Sequence, residues 1–155
     1  MKIISGINGF GRFGLHLLKY YLDRYEKSNF KISYINDDFL SIEQVIEIIC
    51  NDSHVEFRRY KVLLEDNNIV IKTPKGLIHK FIYSNKPSQK IPWIGKVDLF
   101  LECSGKNTER SSAAVLLKEK TKHVIISATS WDPDATLVFG FNHFEYKKSQ
   151  KIISY

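Results

Sequence analysis

Apolar and polar positions along this chain switch between two periods. Ile3-Ile4-Ser5-Gly6-Ile7 is a short apolar run of strand type, and from Leu15 onward Leu15, Leu18, Leu22 and Tyr25 keep the spacing of one helical face. Lys31-Ile32-Ser33-Tyr34-Ile35-Asn36 returns to strand type. Ser41 with Gln44 three residues on has the form of a capping box, and Ile42, Val45, Ile46 and Ile49 give the helix behind it one apolar face. Three short runs follow, Lys61 to Leu64, Ile69 to Lys72 and Leu77 to Ile82, separated by the turn-forming Asp66-Asn67-Asn68 and Pro74-Lys75-Gly76. They predict an antiparallel insertion. Val97 to Glu102 is a near-continuous apolar run of the kind buried on both faces, ended by Ser104-Gly105. Beyond it a helix is predicted from about Thr108 to Lys118, with Ala113, Ala114 and Leu117 on one side. Strands are predicted over His123 to Ser127, Thr136 to Phe139 and Ile152 to Tyr155.

These elements add up to an α/β fold: a doubly wound, Rossmann-type, mostly parallel sheet with a small antiparallel insertion. A chain of 155 residues that is 43% hydrophobic can bury one sizeable core, so residues 1 to 155 are read as a single domain. The net charge of +6 raises nucleic-acid binding. Its densest patches, Arg58-Arg59, Lys118 to Lys122 and Lys147 to Lys151, carry no interleaved aromatic pattern, so a solvated surface is the better reading and no specific nucleic-acid partner is expected. No apolar run reaches the ~18 to 20 residues of a membrane span, and no membrane partner is expected. Cys50 and Cys103 stand 53 residues apart without C-x-x-C spacing or a leader segment, which points to a reduced, cytoplasmic protein with two packing cysteines. The five histidines are dispersed; Cys50 and His54 alone have ligand spacing, and two ligands do not make a metal site. Trp93 and Trp131 read as packing residues, and Asp132-Pro133-Asp134 as a turn.

The candidate chemistry lies at Gly9-Phe10-Gly11-Arg12-Phe13-Gly14, between the first strand and the first helix. In a G-x-G-x-x-G turn the first glycine supplies the tight turn, the second lets backbone approach a pyrophosphate, and the third lets the helix pack closely on the strand. The helix start adds unpaired N–H groups and the positive end of its dipole, and Arg12 adds a cation. The next strand ends in Asp37, 23 residues beyond Gly14, near the ~20-residue offset at which an acid meets the adenosine ribose. Asn8-Gly9 also has the form of a hairpin turn, but the helical period after Gly11 leaves no second strand for it. Ligands in such sheets lie beyond the carboxyl ends of the strands. Here those ends are Asn8-Gly9, Asn36-Asp37, Ser104-Gly105 and Ser127-Ala128-Thr129.

At this point the residues resemble a known family. Ile7-Asn8-Gly9-Phe10-Gly11-Arg12-Phe13-Gly14 is similar to the opening of glyceraldehyde-3-phosphate dehydrogenases. Ile35-Asn36-Asp37, Asp52-Ser53-His54 with Phe57, Glu102-Cys103-Ser104-Gly105, Val124-Ile125-Ile126-Ser127-Ala128 and Gly140-Phe141-Asn142-His143 resemble later blocks in the same order. The likeness implies NAD as cofactor, held by Asn8, Gly9, Phe10, Gly11, Arg12, Phe13, Asn36, Asp37, Asn85, Ser104, Gly105, Ser127 and Ala128. The backbone of Arg12 and Phe13 would meet the pyrophosphate, Asp37 the adenosine ribose, and Ser104, Gly105, Ser127 and Ala128 the nicotinamide ribose. Ile152-Ile153-Ser154-Tyr155 aligns with the segment leading to the family's nucleophilic cysteine, so the resemblance puts no catalytic residue in this chain. It implies a cofactor domain cut from a homotetrameric, phosphorylating enzyme and inactive alone. It also implies an exposed apolar groove, where a helix from the family's C-terminus would pack.

Several positions depart from the pattern. Leu15 and Asn85 stand where arginines are common, Asn107 where phenylalanine is common, Thr129 where proline is common, and Tyr155 where asparagine stands. Arg24 to Asn29 and Asp134 to Val138 also resemble erythrose-4-phosphate dehydrogenase, while Asp37 argues for the glyceraldehyde 3-phosphate enzyme. A stand-alone dinucleotide-binding module without chemistry is the other alternative.

Overall fold

The first apolar run becomes the central strand of one sheet. The computed structural model describes residues 2–155. Its elements are β1 (Ile3–Asn8), α1 (Arg12–Asp23), β2 (Phe30–Asn36), α2 (Ile42–Asn51), β3 (Lys61–Glu65), β4 (Asn68–Lys72), β5 (Ile78–Ser84), β6 (Leu99–Glu102), α3 (Arg110–Ala114), β7 (His123–Ile126), β8 (Ala135–Thr136) and β9 (Ile152–Ser154). The strands run in the order β3-β4-β5-β2-β1-β6-β7-β9-β8. β1 pairs in parallel with β2 on one side and β6 on the other, so the strand order reverses between β1 and β6. A doubly wound sheet opens its ligand crevice at that switch point, beyond the carboxyl ends.

The predicted antiparallel insertion exists and is fused to the main sheet. β3 and β4 form a hairpin through Asp66 and Asn67, both with positive φ, as a tight hairpin turn requires. β5 pairs antiparallel with β4 and parallel with β2, setting Asn36 opposite Ser84.

The two faces of the sheet carry separate cores. α1 buries Leu15, Leu18, Tyr21 and Leu22 against Ile7 and Ile35, and α2 adds Val45 and Ile49. Each such side chain contributes roughly 1.5–3 kcal/mol on burial, which fixes α1 without any cap of its own. α2 starts at the predicted capping box: Ser41 Oγ accepts the Gln44 N–H at 3.3 Å, and Gln44 Oε1 accepts the Ser41 N–H at 2.8 Å. On the opposite face Trp93, Val97, Phe100, Leu116, Val124, Ile126 and Ile152 pack together.

Several expectations are corrected. The helix predicted to Lys118 stops at Ala114, where the chain tightens into i→i+3 bonds from Leu116 to Ala113 and from Leu117 to Ala114; Leu116 rather than Ala114 is buried. The strand predicted over Thr136 to Phe139 shrinks to Ala135–Thr136. The Asn142 side chain accepts the Val138 N–H at 2.6 Å and donates to the Thr136 carbonyl at 3.0 Å, which turns the chain away. Tyr25 leaves the helical face for a single 3₁₀ turn, and Tyr21 takes its place in the core. Cys50 is exposed, because it lies one residue round the helix from buried Ile49. Trp131 is 94% exposed, whereas Trp93 is buried. Asp132 and Asp134 act as loop anchors. Asp132 accepts the Arg110 N–H, and Asp134 accepts the N–H groups of Lys151 and Ile152, holding β9 in place.

α1 and α2 cover only part of their face. Ile3, Leu99, Ile125, Leu137, Ile153 and Tyr155 line an open apolar groove of 660 Å³ beside α1, of the kind the resemblance implied. Among the described residues no helix is long and apolar enough to cross a membrane, and no three His, Cys, Asp or Glu side chains gather in a way that could hold a metal ion.

Candidate functional site

The glycine turn is shaped as its three roles require. Gly9 has φ +92°, and a Cβ there would stand 2.4 Å from the backbone of Ser104, so the turn presses against the end of β6. At Gly14 a Cβ would meet the Gly9 carbonyl oxygen at 2.4 Å and Ile7 Cγ2 at 3.3 Å, which is the close packing of α1 on β1. Gly11 differs. Its φ of −76° suits any residue, and nothing lies within 4 Å of where its Cβ would be. Space is thus left open immediately before the helix. The first helical bond runs from Leu15 N–H to Gly11 O, no side chain caps the helix, and its first turn carries no acid. The leading N–H groups therefore face that space without an internal acceptor, and the arrangement suits an anion.

Four neighbouring strands end in one buried polar row. Ser84, Asn36, Asn8 and Glu102 are register partners across β5, β2, β1 and β6. Ser84 Oγ donates to Asn36 Oδ1 at 2.7 Å, Asn36 Nδ2 to Asn8 Oδ1 at 2.9 Å, and Asn8 Nδ2 to Glu102 Oε2 at 2.8 Å. Asn107 Nδ2 also donates to Glu102 Oε2 at 2.7 Å and to Ser88 Oγ at 2.9 Å. Glu102 Oε1 accepts both the N–H of Ser104, at 2.8 Å, and its hydroxyl. Sequence reasoning assigned no role to Glu102 or Ser88 and treated Asn107 only as a departure. The available signal was the single acid closing an otherwise apolar buried run, Val97 to Leu101, broken only by Asp98.

Two walls rise from this row. On the β2 side Asp37, 8% exposed, accepts the Phe10 N–H on Oδ2 at 2.7 Å and the N–H groups of Phe39 and Leu40 on Oδ1 at 2.9 and 3.0 Å. On the β6 side stand Ser104 and the exposed Gly105, with Ser127 tied to the Glu102 carbonyl through its N–H at 2.9 Å and Ala128 packed against the second core. Lys106 pairs with Asp38 and lies 3.9 Å from the Phe39 ring centroid, joining the two loops across the end of β1.

All the sequence-predicted positions except Asn85 lie at the carboxyl ends of β1, β2, β6 and β7 or at the start of α1. Their side chains are used differently. Asn8 and Asn36 spend their amides inside the row, Asn36 also bonding Lys86. Asn85, just past β5, gives both amide protons to the carbonyls of Asp37 and Leu40. Phe10 is buried in the core, while Arg12 is exposed and Phe13 stacks edge-on with Tyr155 at 5.9 Å. Burial pushes the Cys103 thiol up to about 12, with Glu102 adding to the rise and Ser127 opposing it. Cys103 is therefore a protonated packing group at neutral pH.

The NAD-binding domain model of glyceraldehyde 3-phosphate dehydrogenase matches residues 2–110, a span that includes the glycine turn, Asp37 and Glu102 to Lys106. The chain belongs to this family. Cytosolic glyceraldehyde-3-phosphate dehydrogenases of Taxus baccata, Dianthus caryophyllus and Pisum sativum are 33%, 32% and 32% identical to it, over 99%, 96% and 99% of its length. The chain spans 44%, 43% and 44% of those relatives. The chain is thus a glyceraldehyde-3-phosphate dehydrogenase NAD-binding domain, and NAD is the cofactor of that domain.

Proposed function

We propose that this chain is the oxidant-holding part of a phosphorylating dehydrogenase that uses NAD to oxidise glyceraldehyde 3-phosphate in the cytoplasm. The observation that carries the reading is the uncapped, acid-free start of α1 facing open space at Gly11, with the Asp37 carboxylate beside it. The pyrophosphate sits on the backbone of Gly11, Arg12 and Phe13, with the Arg12 cation nearby. Asp37 keeps lone-pair capacity for the adenosine ribose hydroxyls, and its charge disfavours a 2′-phosphate, which supports NAD over NADP. Ser104, Gly105, Ser127 and Ala128 border the nicotinamide ribose. Gly9 and Phe10 shape the turn, while Asn8, Asn36 and Asn85 build the walls from within.

The covalent steps belong to residues outside this chain. Bound NAD would supply the hydride acceptor for oxidation of an aldehyde held as a thiol adduct by those residues, and inorganic phosphate would displace the thiol as the acyl phosphate forms. The whole protein works as a homotetramer. Given glyceraldehyde 3-phosphate, NAD and phosphate, the purified chain is expected to bind NAD and form no NADH. Steady NADH formation by this chain alone would overturn the proposed division of labour.

A further inference from the structure

We infer that Glu102 is the positioning residue of the crevice: a buried carboxyl group that the cofactor never touches and that sets the β6 wall against the glycine turn. The inference rests on the NAD reading above. Glu102 is 0% exposed, and its four donors, Asn8 Nδ2, Asn107 Nδ2 and the N–H and hydroxyl of Ser104, are all neutral. Burying a carboxyl group without a cation beside it is costly, and an apolar side chain would fill the same volume more cheaply. What the carboxylate adds is direction. Both of its oxygens accept, and all four groups around it are donors that point inward.

That constraint runs along the whole row. Trp93 Nε1 donates to Ser84 Oγ at 3.2 Å, Ser84 to Asn36, Asn36 to Asn8, and Asn8 to Glu102. The carboxyl end fixes the orientation of the Asn8 amide, the Lys86 N–H and carbonyl fix that of Asn36, and the row ties the ends of β5, β2, β1 and β6 into one polarised chain. Ser104, on the far wall, hangs from the same carboxylate through two bonds. Asp37 does not: its wall is held by the N–H groups of Phe10, Phe39 and Leu40. Glu102 therefore controls the half of the crevice that takes the second mononucleotide, and Asp37 controls the adenosine half.

The test compares NAD with ADP, which reaches only the adenosine half, in wild type and Glu102→Gln. A glutamine amide must turn a donor toward donors already in place. Glu102→Gln is expected to weaken NAD binding at least about tenfold while ADP binding changes less than about threefold. In a Trp131→Phe background the one remaining indole N–H resonance reports Trp93. It is expected to shift on NAD binding to otherwise wild-type protein and to lose that response in Glu102→Gln. If Glu102→Gln does not fold, Asn107→Ala removes one donor and is expected to produce a smaller loss of the same kind, for NAD and not ADP. Equal losses for NAD and ADP, no loss for either, or an unchanged indole response would overturn the positioning role. Wild type binding neither ligand would overturn the NAD reading itself, and the positioning role with it.

Discussion

Asp37 Oδ2 accepts the Phe10 N–H at 2.7 Å, so the acid at the end of β2 and the second residue of the glycine turn form one unit. Two further N–H groups, of Phe39 and Leu40, close on Oδ1. Asp37→Ala strips all three of their acceptor. A donor left unsatisfied in a buried setting costs about 1–3 kcal/mol, and the two loop N–H groups can recover water. Urea unfolding is expected to show a loss of about 2 kcal/mol, together with weaker NAD binding. Unchanged stability would mean that the carboxylate does not hold the turn.

Gly14→Ala sets a methyl group against the Gly9 carbonyl at 2.4 Å, where only backbone can give way. α1 must lift from β1. Overpacking of this kind costs about 1–3 kcal/mol, and a lower Tm by circular dichroism is expected. A variant as stable as wild type would contradict the close helix–strand contact.

The two cysteines should separate cleanly in an alkylation experiment. Cys50 is exposed, whereas burial drives the Cys103 thiol up to about 12. Iodoacetamide at neutral pH is expected to label Cys50 and spare Cys103 in the folded chain, and Cys50→Ser to remove nearly all labelling. Prompt labelling of Cys103, read by peptide mass spectrometry, would show that the end of β6 is open.

His79 gives stability an acid limit. It is buried against Tyr21, Tyr25 and Phe81, its Nε2 has no hydrogen-bond partner, and burial, reinforced by Lys31 and Lys2, holds its pKa below the ordinary 6.5. The unfolded chain takes up a proton first as pH falls through 6.5, so this contribution is complete above that value and is lost below it. Urea midpoints measured downward from about pH 7.5 to about pH 5 are expected to fall more steeply in wild type than in His79→Phe. Parallel slopes would contradict the buried neutral imidazole.

Much of this architecture was legible where local chemistry and tertiary role coincide. The glycine spacing, the capping box at Ser41 and the Asp66-Asn67 turn each encode a backbone conformation directly, so β1, α1, α2 and the hairpin fell close to their predicted places. The family resemblance supplied NAD and the identity of the crevice. What stayed hidden depends on partners remote in sequence. Glu102 meets Asn8 across 94 residues, and no local pattern shows that the Asn8 and Asn36 amides bond each other and Glu102. β8 is shorter than the predicted strand because Asn142, beyond its end, takes the bonds that would have extended it. Trp131 and Cys50 were misplaced because an apolar residue type does not say which side of a loop or helix it occupies.

The central claim, that a dinucleotide pyrophosphate occupies the open space before α1, is tested most directly by NAD titration of wild type and Gly11→Ala. A methyl group at position 11 meets nothing within 4 Å, and the backbone there is already in a conformation that alanine adopts, so the fold should be untouched. An unchanged Tm in the absence of ligand and an NAD affinity at least about tenfold weaker are expected. Equal affinity in two equally stable proteins would place the cofactor elsewhere.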